Sequence, residues 1–141
     1  MQSFTESTIR IASERPVSHI VILTHFPVEI GQPIRRGHEV IDAHLVRAAL
    51  DTIVLGTALP TLVLSGHLHT EYFVKDARMP LWHYTCASSC KYYLHTNALN
   101  ACALVETNQD GFLIQRYDFD GSPGRGWFEP DPRGPTLPTT I

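Results

Sequence analysis

Three of the eight histidines in this 141-residue sequence stand where they could act on one centre: His25 in Thr24-His25-Phe26-Pro27, and His67 and His69 in Ser65-Gly66-His67-Leu68-His69. Side chains two apart in an extended segment point to the same side, so His67 and His69 can aim both imidazoles at one metal ion or a close pair, while Leu68 turns into packing. Neutral imidazole suits Zn²⁺, Mn²⁺ and Fe²⁺, and three such ligands with an open position suit hydrolysis. A single histidine at a strand end is most often a hydrogen-bonded loop residue. Three at two strand ends shift the balance toward ligation, though they do not by themselves name the reaction.

Those positions depend on the elements around them. Val17 to His25 is a β-branched run bounded by Pro16 and Pro27, which predicts a buried strand ending at His25. From about Glu39 to Leu55 the pattern turns helical, with Ile41, Leu45, Ala48, Ala49 and Thr52 as one stripe, widened by Val46, Leu50 and Ile53. Thr61 to Gly66 predicts a second buried strand. Residues 17 to 66 thus read as a strand, crossover helix and strand unit suited to neighbouring parallel strands. Ligands in open α/β sheets gather outside the carboxyl ends of the strands, which brings His25 beside His67 and His69.

The flanks are simpler. Glu6 to Arg15 predicts a short surface helix stopped by Pro16. Beyond the second histidine motif, short strands are predicted at Tyr72 to Lys75, Leu81 to Thr85, Asn100 to Glu106 and Phe112 to Phe119, the last two joined through Asn108-Gln109-Asp110-Gly111. Together they predict an antiparallel meander. Residues 121 to 141 are rich in proline and glycine, which predicts a disordered tail after a domain spanning 1 to 120. Pro132, Pro135 and Pro138 recur every third residue there, compatible with a polyproline II segment.

Thr24-His25-Phe26-Pro27 after an apolar strand, then a helix, then Ser65-Gly66-His67-Leu68-His69, resembles the C-terminal metal motifs of calcineurin-like metallophosphoesterases. The resemblance runs from about residue 6 to residue 119 and is closest to the bacterial cyclic-nucleotide phosphodiesterase branch. It implies the C-terminal part of an α/β/β/α sandwich and a metal-dependent hydrolase of phosphomono- or phosphodiesters. It implies further that His25 and His67 bind one of two divalent ions (Mn, Fe or Zn) and His69 the other. Arg35 and Arg36, in the loop after His25, could then reach a substrate phosphate, a solvated loop being the alternative.

The family takes its remaining ligands from an N-terminal half bearing D-x-H, G-D-x-x-D and G-N-H-[DE]. This sequence holds no Gly-Asp and no Asn-His dipeptide, and Asp42, Asp51, Asp76, Asp110, Asp118 and Asp120 fall on the predicted helix or in late loops and strands. The chain alone is therefore expected to be inactive, and to associate with a complementary half or with itself through an apolar sheet face left without a partner. Two alternatives stay open: a catalytically dead remnant or interaction module of the same fold, and a single Zn²⁺ held by the three histidines.

Composition narrows the partners. The 43% apolar share suits a packed core, and the net charge of −3, from 11 basic and 14 acidic side chains without blocks, gives no footprint for nucleic acid or an anionic membrane. No apolar run approaches the ~20 residues that cross a bilayer, and the first residues lack a secretion pattern, so the expected compartment is the cytoplasm. Cys86, Cys90 and Cys102 match no disulfide scaffold. With His83 and His95 nearby, Cys86 and Cys90 do not make a zinc spacing either, and small packed residues are the favoured account.

Overall fold

The computed structural model describes residues 2–28, 42–67, 72–86, 101–118 and 123–128. Helix α1 spans Gln2–Glu14, and the chain turns at Arg15 and Pro16. Strand β1 (Ile20–Leu23) leads to α2 (Ala43–Thr57) and then β2 (Thr61–Ser65), and β1 and β2 pair in parallel from Ile20↔Thr61 to Leu23↔Leu64. The expected strand, helix and strand unit is thus present, shorter at both ends of β1 than the sequence pattern suggests.

Strands β3 (Tyr72–Lys75) and β4 (Leu81–Thr85) follow, and here the arrangement departs from a simple meander. They pair with each other antiparallel, but β4 also lies parallel to β2, giving the mixed sheet order β1-β2-β4-β3. The reversal is set by Asp76, whose Oδ1 accepts from the Arg78 and Met79 amides at 2.8 and 3.1 Å. Every residue of β4, Leu-Trp-His-Tyr-Thr, is buried. A strand buried on both faces belongs in a central place with layers on each side, which accords with its insertion between β2 and β3.

One face of this sheet carries Val63, Val74 and Leu81, packed with Val28 and with Leu50 and Val54 of α2. The buried face of α2 is centred on Leu50, Ile53 and Val54, whereas Leu45 and Leu55 are exposed. The stripe led by Leu45, Ala48 and Thr52 is therefore not the core face, and Ala48, Ala49 and Thr52 instead line a groove with Gln2, Thr5 and Glu6 of α1. Ile41 lies outside the described residues. The two helices approach closely at Gly56, where a Cβ would meet Ile9 Cδ1 at 2.9 Å.

Strands β5 (Ala101–Asn108), β6 (Gly111–Asp118) and β7 (Pro123–Phe128) make a second, antiparallel sheet. It lies on the other face of the first, where Leu62, Phe73, Trp82 and Tyr84 meet Phe112 and Ile114. Trp82 and Phe112 pack edge to face with centroids 5.5 Å apart. Burying aromatic and aliphatic side chains of this size stabilises by about 2 kcal/mol each. The β5–β6 turn is the one expected from Asn108 to Gly111, with the Asp110 amide donating to Asn108 Oδ1 at 2.8 Å.

The layers thus run helices, mixed sheet, antiparallel sheet, which makes the chain a mixed α/β protein. Two expectations need correction. Strand β7 lies within the segment expected to be a disordered tail: pairing with the free edge of β6 orders backbone without needing many apolar side chains. The remainder of that segment lies outside the described residues. The sheet face expected to be bare is mostly covered, because β5 and β6 fold back over β2, β3 and β4. What stays open is β1, an edge strand rather than a buried one, where Val21 and Leu23 remain 48% and 77% exposed. Among the described residues no helix is long and apolar enough to cross a membrane.

Candidate functional site

Parallel pairing of β1 and β2 places the two histidine motifs side by side. Beyond the last strand pair the contact continues: the Thr24 amide donates to the Leu64 carbonyl at 2.9 Å, and the Gly66 amide to the His25 carbonyl at 3.1 Å. Thr24 Oγ1 donates to the Phe26 carbonyl at 2.8 Å, which closes the turn that presents His25. His25 and His67 leave their strand ends with ring centroids 5.2 Å apart. Phe26 packs against both, its centroid 4.9 Å from His25 and 4.3 Å from His67.

That separation can be compared with the geometry of a shared ion. With a metal–nitrogen distance of about 2.1 Å and a ring radius of about 1.1 Å, two imidazoles at a tetrahedral angle have centroids ~5.2 Å apart. The centroid separation matches that value, and it is equally the ordinary spacing of two rings packed edge to face. His67 also has φ +66°, in the left-handed region. For a non-glycine residue this costs on the order of 1 kcal/mol, a cost that clusters where backbone geometry serves a site.

His69, the third expected ligand, and Arg35 and Arg36, the expected phosphate contacts, lie outside the described residues. Among the described residues no group of three or more His, Cys, Asp or Glu is placed to hold a metal.

The chain matches no protein-family profile and no curated protein.

Two of the aspartates, Asp51 and Asp76, are engaged away from the histidines. Arg47 on α2 bridges Asp51, at 2.6 Å, and Asp76. Burial would push the Asp76 carboxyl up, but the amides of Arg78 and Met79 and the Arg47 guanidinium hold it below the usual carboxylate value. This network ties α2 to the β3–β4 reversal and shares no group with the histidines. His19, before β1, contacts the Asn108 carbonyl through Nε2 at 2.9 Å and so links β1 to the second sheet.

A polar cluster that the sequence pattern did not single out lies under the histidine pair. His83 on β4 is fully buried, with Nε2 2.7 Å from Ser65 Oγ, and Ser65 Oγ lies 2.9 Å from Thr85 Oγ1. Burial drives the imidazole pKa down to about 4, only partly opposed by a hydrogen bond to the Val28 backbone. That bond favours the charged ring, so Val28 contributes its carbonyl and the ring donates, leaving Nε2 to accept from Ser65. A serine hydroxyl at 2.7 Å from an imidazole is also the spacing of a nucleophile and its base, but with Ser65 only 4% exposed no substrate reaches it. The available sequence signal was alternation: Leu81, His83 and Thr85 share the helix-facing side of β4, where an apolar residue is the ordinary choice.

Proposed function

We propose that this chain is the C-terminal part of a metal-dependent phosphoesterase of the calcineurin-like type, contributing His25, His67 and His69 to a divalent metal centre at the ends of β1 and β2. The observation that carries this is the 5.2 Å approach of the His25 and His67 rings beyond two adjacent parallel strands. The face-to-face stacking of a mixed sheet and a second sheet, with helices outside the first, supports the sandwich this reading implies.

A divalent ion held there would polarise a phosphoryl oxygen and offset charge developing in the transition state. The chain's own part is to orient two imidazoles at fixed spacing, to shield one side of them with Phe26, and to bring His69 two residues beyond His67. Among the described residues Asp51 and Asp76 are engaged by Arg47 and so are not available as carboxylate ligands; this reading takes the carboxylate ligands from a second half bearing the D-x-H and G-D-x-x-D motifs. The substrate class is a phosphomono- or phosphodiester, cyclic nucleotides included, with Arg35 and Arg36 as phosphate contacts.

Reconstitution tests this. Co-expression with a polypeptide carrying D-x-H, G-D-x-x-D and G-N-H motifs should give Mn²⁺-dependent hydrolysis of a generic aryl phosphodiester, abolished by His67→Ala in this chain. Hydrolysis undiminished by His67→Ala would contradict the assignment, and turnover by the chain alone would contradict the need for a second half. The interaction-module alternative draws on a different observation, the exposed Val21 and Leu23 on edge strand β1. It requires that a partner protect β1 whether or not metal is present.

A further inference from the structure

The His83 imidazole spans the two segments that carry the candidate metal ligands. Its Nε2 meets Ser65 Oγ, two residues before His67, at 2.7 Å. Its other nitrogen serves the backbone of Val28, three residues after His25. Strand register sets this placement: Val63 pairs with His83 and Ser65 with Thr85 on one side, and Val74 pairs with His83 on the other.

Apart from Ser65 and Thr85, the neighbours of His83 on this face are apolar. Val28, Val63, Val74 and Leu81 form one buried cluster there. A leucine would fill such a position without the desolvation cost of an imidazole, and buried polar groups are tolerated only when their hydrogen bonds are made. Here both ring nitrogens have partners, and each partner belongs to a different histidine-bearing segment. The backbone bond from Gly66 to His25 joins the same segments at their tips, whereas His83 holds them from beneath. Without His83 the turn would be held to β2 by backbone bonds at its start, from Thr24 to Leu64 and from Gly66 to His25, and its far end at Val28 could pivot about them and change the spacing of the rings.

We infer that His83 is a positioning residue: its imidazole fixes the turn bearing His25 against the strand end bearing His67 and so sets the separation of the two candidate ligands. The inference rests on the functional reading of His25 and His67, but the clamp itself can be observed without metal.

The test compares wild type with His83→Leu, which cuts both bonds while filling the apolar layer, and with Ser65→Ala, which cuts the bond of His83 to β2, and that of Ser65 to Thr85, at nearly unchanged volume. In the metal-free chain, nuclear Overhauser contacts between the ring protons of His25, Phe26 and His67 report the spacing directly. They should be strong in wild type, weakened in Ser65→Ala and lost in His83→Leu, with the far-ultraviolet spectrum unchanged. Zn²⁺ affinity should fall by roughly ten- to hundredfold in His83→Leu, the usual effect of removing a group that orients metal ligands. His83→Asn, which retains a donor for the Val28 carbonyl, should recover part of both signals. Ring contacts and affinity unchanged in Ser65→Ala and His83→Leu would overturn the inference. If His83→Leu fails to fold, unchanged contacts in Ser65→Ala decide against it. If wild type binds no Zn²⁺ but the contacts vanish on substitution, the metal reading fails and the clamp stands.

Discussion

His83 carries the clearest electrostatic consequence at the scale of single residues. Burial lowers its folded-state pKa to about 4, against an ordinary value of 6.5. Above pH 6.5 the ring is neutral whether the chain is folded or unfolded, so it makes no pH-dependent contribution there. As pH falls from 6.5 to 4 the unfolded chain takes up a proton that the folded chain refuses, and stability is lost across that window. A difference of this size is on the order of 3 kcal/mol. Urea unfolding at pH 7 and pH 4.5 should therefore show a larger loss in wild type than in His83→Leu; equal losses would place the titrating group elsewhere. His67 makes the complementary point, since its left-handed backbone holds the ring beside His25 and Phe26 at a cost that a glycine would not incur.

Among the elements, β4 decides the architecture. The limits of β3, Tyr72 to Lys75, and of β4 itself, Leu81 to Thr85, were legible in the sequence, but the parallel pairing of β4 with β2 was not. Local pattern identifies a strand buried on both faces without telling which neighbours it takes, because that choice is made by long-range packing. The phase of α2 was missed for a related reason: small residues such as Ala48 and Ala49 fit a helix–helix contact as well as a core, and α1 takes them. The joint between the sheets is sharpest at Gly111, at φ +134°, where a Cβ would lie 2.6 Å from Trp82 Cζ2. Gly111→Ala combines backbone strain with overpacking, and should destabilise by about 2–4 kcal/mol with a changed Trp82 near-ultraviolet signal. An effect below about 0.5 kcal/mol would mean that the sheets do not meet there.

For the whole molecule, the juxtaposition of His25 and His67 was legible because two rules combine: parallel strands joined by a helix lie side by side, and ligands collect beyond their carboxyl ends. The coverage of the sheet by β5 and β6 was not legible, since amphipathic strands show that they need a partner face but not which one. Among the described residues of the first sheet, Val21 and Leu23 on β1 stay exposed beneath the histidine site. The most direct test of the metal centre is calorimetric titration of the chain with Zn²⁺ at pH 7.5, alongside His25→Ala, His67→Ala and His69→Ala. Saturable binding in wild type, at least tenfold weaker in His25→Ala and His67→Ala, is the expected result. Affinity unchanged by either of those two substitutions would contradict a metal centre at the ends of β1 and β2.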